Sequence, residues 1–355
     1  MSSSSRSSVP SLPPELILHI LHLAYPSDAE DDYTGRSHDV LQCCLVSKQW
    51  KELVEPVLWR SVTITKSSQV DKLAQQPVEK RSVTRNLAFV EFKTSPYLMP
   101  EHIRQALRFF PDVEHIRFAY FVWDTHEISQ EPLKLSDFEV LPNLHSLSFA
   151  GHNQAVADNA VLPNLELLGM PSSLGPDCLT RLNPNTTPSL RVLATDYVNL
   201  HSDPQPLLDL LDIIELNVGS SYSSYAVFRN SFRNVLFTIE DCDLKHYVIR
   251  DCLAPNIPLP PRHLRLKYTA SWPALDNIFL LPHRPESLFL PLSTSSSDTA
   301  AEANDVAREA FLKRCKDEGV EVRWYRPAKE EWREVGCREF REYVEERKRR
   351  TEERT

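Results

Sequence analysis

A spacing of three apolar positions, apolar-x-x-apolar-x-apolar, recurs through the middle of this chain and limits its fold more than any other feature. The clear copies are Trp59-Val62-Ile64, Leu87-Val90-Phe92, Val113-Ile116-Phe118, Leu144-Leu147-Phe149, Leu165-Leu168-Met170, Leu190-Leu193-Thr195 and Ile213-Leu216-Val218. Their starts lie 28, 26, 31, 21, 25 and 23 residues apart. Weaker copies follow at Leu236-Ile239, Leu264-Leu266 and Leu288-Leu290. The last two positions of each copy flank one residue, which is the spacing of a strand that buries one face. One short strand cannot bury that face alone, whereas stacked copies make a parallel sheet with a continuous core behind it. The side chains expected inside are Val90, Phe92, Ile116, Phe118, Leu147, Phe149, Leu168, Met170, Leu193, Leu216 and Val218. Between copies, residues 99–111, 204–211, 224–234 and 273–281 read as helices. Residues 299–318 read as a longer helix stopped by Gly319, with a last strand at 320–325.

A period of about 20–30 residues around an LxxLxL core resembles the leucine-rich repeat. The resemblance implies an α/β fold in which an irregular solenoid with a parallel sheet spans residues 61–326. Strong members of that family place Asn or Cys three residues after the last strand position. Here those places hold Ser95, Phe121, His152, Ser173, Val198 and Ser221, so variable loops are expected. An ordinary α/β sheet with chance copies is the alternative.

Ahead of the repeats, residues 12–26 (LPPELILHILHLAYP) form an amphipathic helix, with prolines in the first turn where a missing N–H costs nothing. Residues 39–54 form a second, with Leu41, Cys44, Leu45 and Lys48 nearly in line and Pro56 bending or ending it. So few short helices bury too little area to stand alone. Leu12-Pro13-x-Glu15-Leu16-x-x-x-Ile20, then Leu45-Val46-Ser47-Lys48-x-Trp50, then Leu58-Trp59-Arg60 resembles an F-box, although the connection over residues 26–38 is long for that family. The resemblance covers residues 11–60 and implies docking to a Skp-type adaptor, and through it to a cullin, by Leu12, Pro13, Leu16, Ile17, Ile20, Val46 and Trp50. A helical cap closing the larger domain is the competing reading of the same residues.

Composition narrows the partners. A net charge of −9 argues against nucleic acid, because no basic excess exists to neutralise phosphates. No apolar run is long enough to span a bilayer, so no membrane partner is expected. Residues 1–10 lack the apolar stretch of a secretory signal and read as a disordered tail. Seven scattered cysteines fit free thiols in a reducing compartment, so a cytoplasmic or nuclear location is expected. Residues 327–355 are charged and of mixed sign. Trp332, Phe340, Tyr343 and Val344 can dock one helix face there, while the last ten residues are expected to fray.

Catalytic signals are weak. The chain shows no GxSxG, P-loop, GxGxxG, HExxH or CxxC spacing. Cys43 and Cys44 read as buried cysteines, and Cys242 among acids is poorly placed for nucleophilic use. No catalytic residue, metal site or cofactor is therefore expected. The reading is a non-enzymatic substrate-recognition subunit of an SCF-type ubiquitin ligase, with a stand-alone binding scaffold as the alternative. Substrate protein is expected on the strand positions facing away from the core: Glu91, Lys93, His115, Arg117, Ser148, Asp196 and Asn217. The same positions read equally well as ordinary solvated strand residues.

Overall fold

The computed structural model of the protein describes residues 13–24, 42–90, 98–119, 133–149, 158–170, 181–195, 210–218, 234–239, 262–266, 272–280, 284–292, 301–325 and 337–353. The expected helices at 204–211 and 224–234 lie mostly outside these residues, as do Phe92 and Trp332.

Among the described residues, eleven strands form one sheet, and each pairs in parallel with the next in sequence. They are β1 (Ser61–Ile64), β2 (Asn86–Val90), β3 (His115–Ala119), β4 (Ser146–Phe149), β5 (Leu167–Met170), β6 (Val192–Thr195), β7 (Ile213–Val218), β8 (Val235–Ile239), β9 (His263–Leu266), β10 (Ser287–Pro291) and β11 (Glu321–Tyr325). The helices that matter below are α1 (Pro14–Ala24), α2 (Lys48–Arg60), α3 (Ser67–Ala74), α4 (Pro100–Leu107), α5 (Ala301–Asp317) and α6 (Arg338–Glu352).

One face of the sheet, the back, is mainly aliphatic and phenylalanine, with Thr195 a buried polar exception. Leu87, Ile116, Leu147, Leu168 and Leu193 align across neighbouring strands and are all buried. A second row stacks aromatic rings. Phe89 lies on Phe118 at 5.0 Å, and Phe118 lies on Phe149 at 4.9 Å. Phe138, on the turn beneath them, meets Phe118 and Phe149 edge-on, a geometry that adds to area burial. Val70 of α3 and Ile103 and Leu107 of α4 close this core from behind.

Two of the seven clear copies sit in a different register from the one the spacing predicts, and so does the weaker copy Leu236-Ile239, whose Leu236 falls on the opposite face. In β2 the core pair is Leu87 and Phe89, which align with Ile116 and Phe118, so Val90 falls on the opposite face with Ala88 and Ala119. The first position of that copy is Thr84, three residues ahead of Leu87. Its hydroxyl donates to the Trp59 carbonyl at 2.7 Å and hides a polar residue where a leucine is expected. In β7, Ile214 aligns with Leu193 and Leu216 with Thr195. The copy therefore runs from buried Leu211 through Ile214 to Leu216 rather than ending at Val218.

The second helix also differs. A helical turn at 42–44 is followed by a break, and α2 begins at Lys48. Ser47 causes the break: its backbone is extended, and its hydroxyl accepts the Trp50 N–H at 3.2 Å as an N-cap. Pro56 does not end α2, which continues to Arg60 and passes directly into β1. At the other end, α5 stops at Gly319, whose φ of 76° suits glycine. The Val320 N–H then returns to the Cys315 carbonyl at 2.8 Å, satisfying a helix-end carbonyl.

Candidate functional site

Two surfaces carry unusual side chains. The first is the N-terminal helical unit. Its small core is Ile17 of α1 against Val54 of α2, with Trp50, Leu53 and Leu58 partly buried around them. The stripe of α1 is wider than this core. Leu16 is 49% and Ile20 45% exposed, and at the helix break Leu45 is 78% and Val46 65% exposed. These are four large apolar side chains left in solvent on one small helical unit. The unit is held to the sheet through α2, where Trp59 packs on the main core and Lys80 pairs with Glu55 at 2.5 Å.

Among the residues expected to dock a partner here, Pro13, Leu16, Ile20 and Val46 are exposed. Ile17 is fully enclosed and Trp50 packs beside it, so both hold the helices together rather than face a partner. Leu12 lies outside the described residues. Leu45, expected in line with Leu41, Cys44 and Lys48 on one continuous helix, instead stands in the break made by Ser47. Cys43 and Cys44, read from the sequence as buried cysteines, are half-buried. Burial, with Glu55 adding, raises the Cys44 thiol above its ordinary value, which opposes nucleophilic use.

The second surface is the front of the sheet. His115 is half-buried there, but Arg117 is 3% and Ser148 4% exposed, so neither is the solvated side chain the alternation predicts. Glu91, Lys93 and Asp196 lie outside the described residues. Asn217 belongs to β7 and pairs with Thr238.

Toward the C-terminal end, α6 lies on this front face. Phe340, Tyr343 and Val344 pack on Ile213, Leu236, Phe289 and Tyr325. Phe289 meets Phe340 at 5.6 Å and Tyr343 at 5.9 Å, both edge-on. Ionic contacts border the apolar strip: Arg323 with Glu346 at 2.8 Å, Arg347 with Glu286 at 2.6 Å and Lys348 with Asp212 at 3.2 Å. These contacts explain why helix persists to Glu352 where fraying is expected. Beneath α6 the strands carry polar groups. His263 Nδ1 lies 2.9 Å from the Ser287 hydroxyl, and the Arg265 guanidinium sits 4.3 Å over the Tyr325 ring. Burial pushes the Cys337 thiol up to about 12, which opposes thiolate formation there too.

Sequence reasoning missed a third regularity. The residue two places ahead of the first back-face position in β2–β7, β9 and β10 is charged or is histidine, and the side chains pair along the sheet rim. Arg85 meets Glu114 at 3.1 Å, His145 meets Glu166 at 3.4 Å, Arg191 meets Asp212 at 3.2 Å and Arg262 meets Glu286 at 3.6 Å. Aligning the copies on the corrected register reveals this ladder. Asp212 and Glu286 are the two members that α6 also uses.

Residues 9–65 match the family model described as F-box-like. An F-box-like domain thus stands at the N-terminus, ahead of the parallel sheet. No curated protein matches the chain. Among the described residues, no helix is long and apolar enough to cross a membrane.

Proposed function

We propose that this chain is the substrate-recognition subunit of an SCF-type cullin–RING ubiquitin ligase. The F-box-like domain docks a Skp-type adaptor, which links it to the cullin. The strands that follow act as a leucine-rich-repeat-like solenoid that holds a substrate protein. The chain supplies position rather than chemistry, works without a cofactor, and acts in the cytoplasm or the nucleus. The observation that carries this reading is the apolar surface of Leu16, Ile20, Leu45 and Val46 on a domain whose own core is little more than Ile17 and Val54. A cap serving only the sheet would turn that surface inward.

The test is affinity capture of the full chain followed by mass spectrometry. Leu16→Asp with Ile20→Asp, and separately Leu12→Ala with Pro13→Ala, should abolish recovery of adaptor and cullin while leaving the melting temperature unchanged within a few degrees. Both replacements in the first pair are at exposed positions, where folding cost is small. Recovery of adaptor at the wild-type level with both variants refutes the reading and favours a stand-alone scaffold.

A further inference from the structure

The two faces of the sheet are built from different residue types. The back carries no ionisable side chain among the strand positions buried there and is apolar but for Thr195. The front under α6 is also covered, yet it holds Glu215, Thr238, His263, Arg265 and Ser287, each no more than 4% exposed. Burying ionisable groups carries a desolvation cost, and a face closed permanently has no use for them. Burial pushes the Glu215 carboxyl above its ordinary value despite neighbouring Arg341 and Arg265, as expected of a carboxylate taken out of water. The helix that covers them has a narrow apolar stripe, Phe340, Tyr343 and Val344, is anchored at its start by the buried Cys337 N–H to Glu215 hydrogen bond, and along the rest of its length attaches through half-exposed ion pairs that contribute little. A 15-residue helix of this kind is marginal by itself, so docking and helix formation are coupled.

We propose that the front of β6–β11 is a helix-binding face, filled in cis by α6 and in trans by a partner helix of the same pattern. That pattern is aromatic at i and i+3, aliphatic at i+4 and basic at i+7 and i+8, as in Phe340, Tyr343, Val344, Arg347 and Lys348. The spacing puts all five on one helix side. The acceptors for the basic pair are Glu286 and Asp212 on the sheet rim, which commits the partner to a cationic flank. The proposal rests on reading the sheet as the recognition surface, and it identifies what that surface takes: an amphipathic, basic helix of a substrate protein. In the closed state α6 holds the site at high effective concentration, and a substrate helix must outcompete it.

The test uses the full chain and a fluorescein-labelled synthetic peptide of residues 337–353. Phe340→Ala with Tyr343→Ala releases α6 and should bind the peptide at least about tenfold more tightly than wild type, because the competing occupant is removed. A peptide carrying Arg347→Glu and Lys348→Glu should bind the same variant about fivefold more weakly or worse. Absence of peptide binding by a variant that keeps its melting temperature overturns the proposal. Hydrogen exchange of the wild-type chain gives a second measure that needs no variant. Amides of α6 should exchange at least about tenfold faster than those of β8–β10, as for a separately opening unit. Equal protection means that α6 leaves only on global unfolding, and this too overturns the proposal. So does a concentration-dependent dimer in which copies exchange α6. Adaptor capture is read separately on the same proteins, so loss of docking at Leu16 and Ile20 leaves this result intact.

Discussion

The backbone N–H of Cys337 donates to the Glu215 carboxylate at 2.5 Å, joining residues 122 apart in the chain. It fixes the start of α6 over the middle of the sheet. Glu215 is fully enclosed by this contact, with Arg265 reaching it from β9 and Arg341 and Glu339 from α6. Burial raises its pKa, against the lowering effect of the two arginines and the Cys337 N–H.

A group whose folded pKa is raised stabilises fully below its unfolded value, here near 4.5, and loses that contribution as pH rises through the folded value. Glu215→Gln stays neutral and keeps an acceptor for Cys337. Its melting temperature relative to wild type should therefore climb as pH rises above 4.5 and then level off. Glu286 has the opposite sign. Burial pushes it upward, but the Arg347 hydrogen bond and charge outweigh this and leave it lowered, so its contribution fades only in acid. Melting curves of the two proteins from weakly acid to weakly alkaline pH decide the matter. A difference that shrinks as pH rises rejects the assignment.

Ser47 determines where the F-box-like domain breaks between its helices. Its hydroxyl accepts the Trp50 N–H, and the break it enforces leaves Leu45 and Val46 in solvent. Ser47→Ala removes the cap and should cost about 1 kcal/mol in a denaturant melt of the full chain. Ser47→Asp supplies another capping oxygen and should recover most of it. If both variants lose the same stability, the cap is not what holds this end of α2.

Much of the sheet was legible because its chemistry is local. Leu147 and Leu193 sit in copies whose three positions are all buried as expected, Leu168 follows buried Leu165 in the same way, and each copy needs only its own strand spacing to be found. β2 and β7 slipped because the first position is misleading. Thr84 is polar yet buried, and Leu211 stands ahead of Ile213, which supplied a false start. Pro56 misled in the same way, since a helix that runs into a strand and packs on a core tolerates one lost N–H. The placement of α6 was not legible. Its anchors Phe340, Tyr343 and Val344 are visible as a stripe, but their partners Ile213 and Leu236 lie more than a hundred residues earlier in ordinary strand positions. The exposed row expected on the front failed for a related reason: strand alternation specifies a face, not what else covers it.

The aligned leucines offer a direct measure of how much stability the back face holds. Leu147 and Leu168 are both fully enclosed and adjacent across β4 and β5. Leu147→Ala or Leu168→Ala should each lower unfolding free energy by about 2–5 kcal/mol, from lost transfer and the cavity left behind. Because the two sites touch, the double variant should depart from additivity. Urea melts of the full chain supply both quantities. A loss below about 1 kcal/mol at either site is incompatible with a close-packed core there.

Gly169 provides the sharpest test of the front face, because it lies beside buried Ser148 in the β4–β5 pair. A Cβ at residue 169 would stand 2.8 Å from the Ser148 hydroxyl oxygen and 3.2 Å from its Cβ. The first distance is a clash, while the second is tight but tolerable with a small shift. Gly169→Ala should therefore destabilise the chain by about 1–3 kcal/mol through overpacking. Ser148→Ala removes the clashing oxygen and leaves only the looser contact. The double variant should recover a large part of the loss, giving a coupling of about 0.5–3 kcal/mol in a double-mutant cycle. Strictly additive losses would mean that the Ser148 side chain is free to turn away, and that the front of β4 and β5 is less closely covered than its burial indicates.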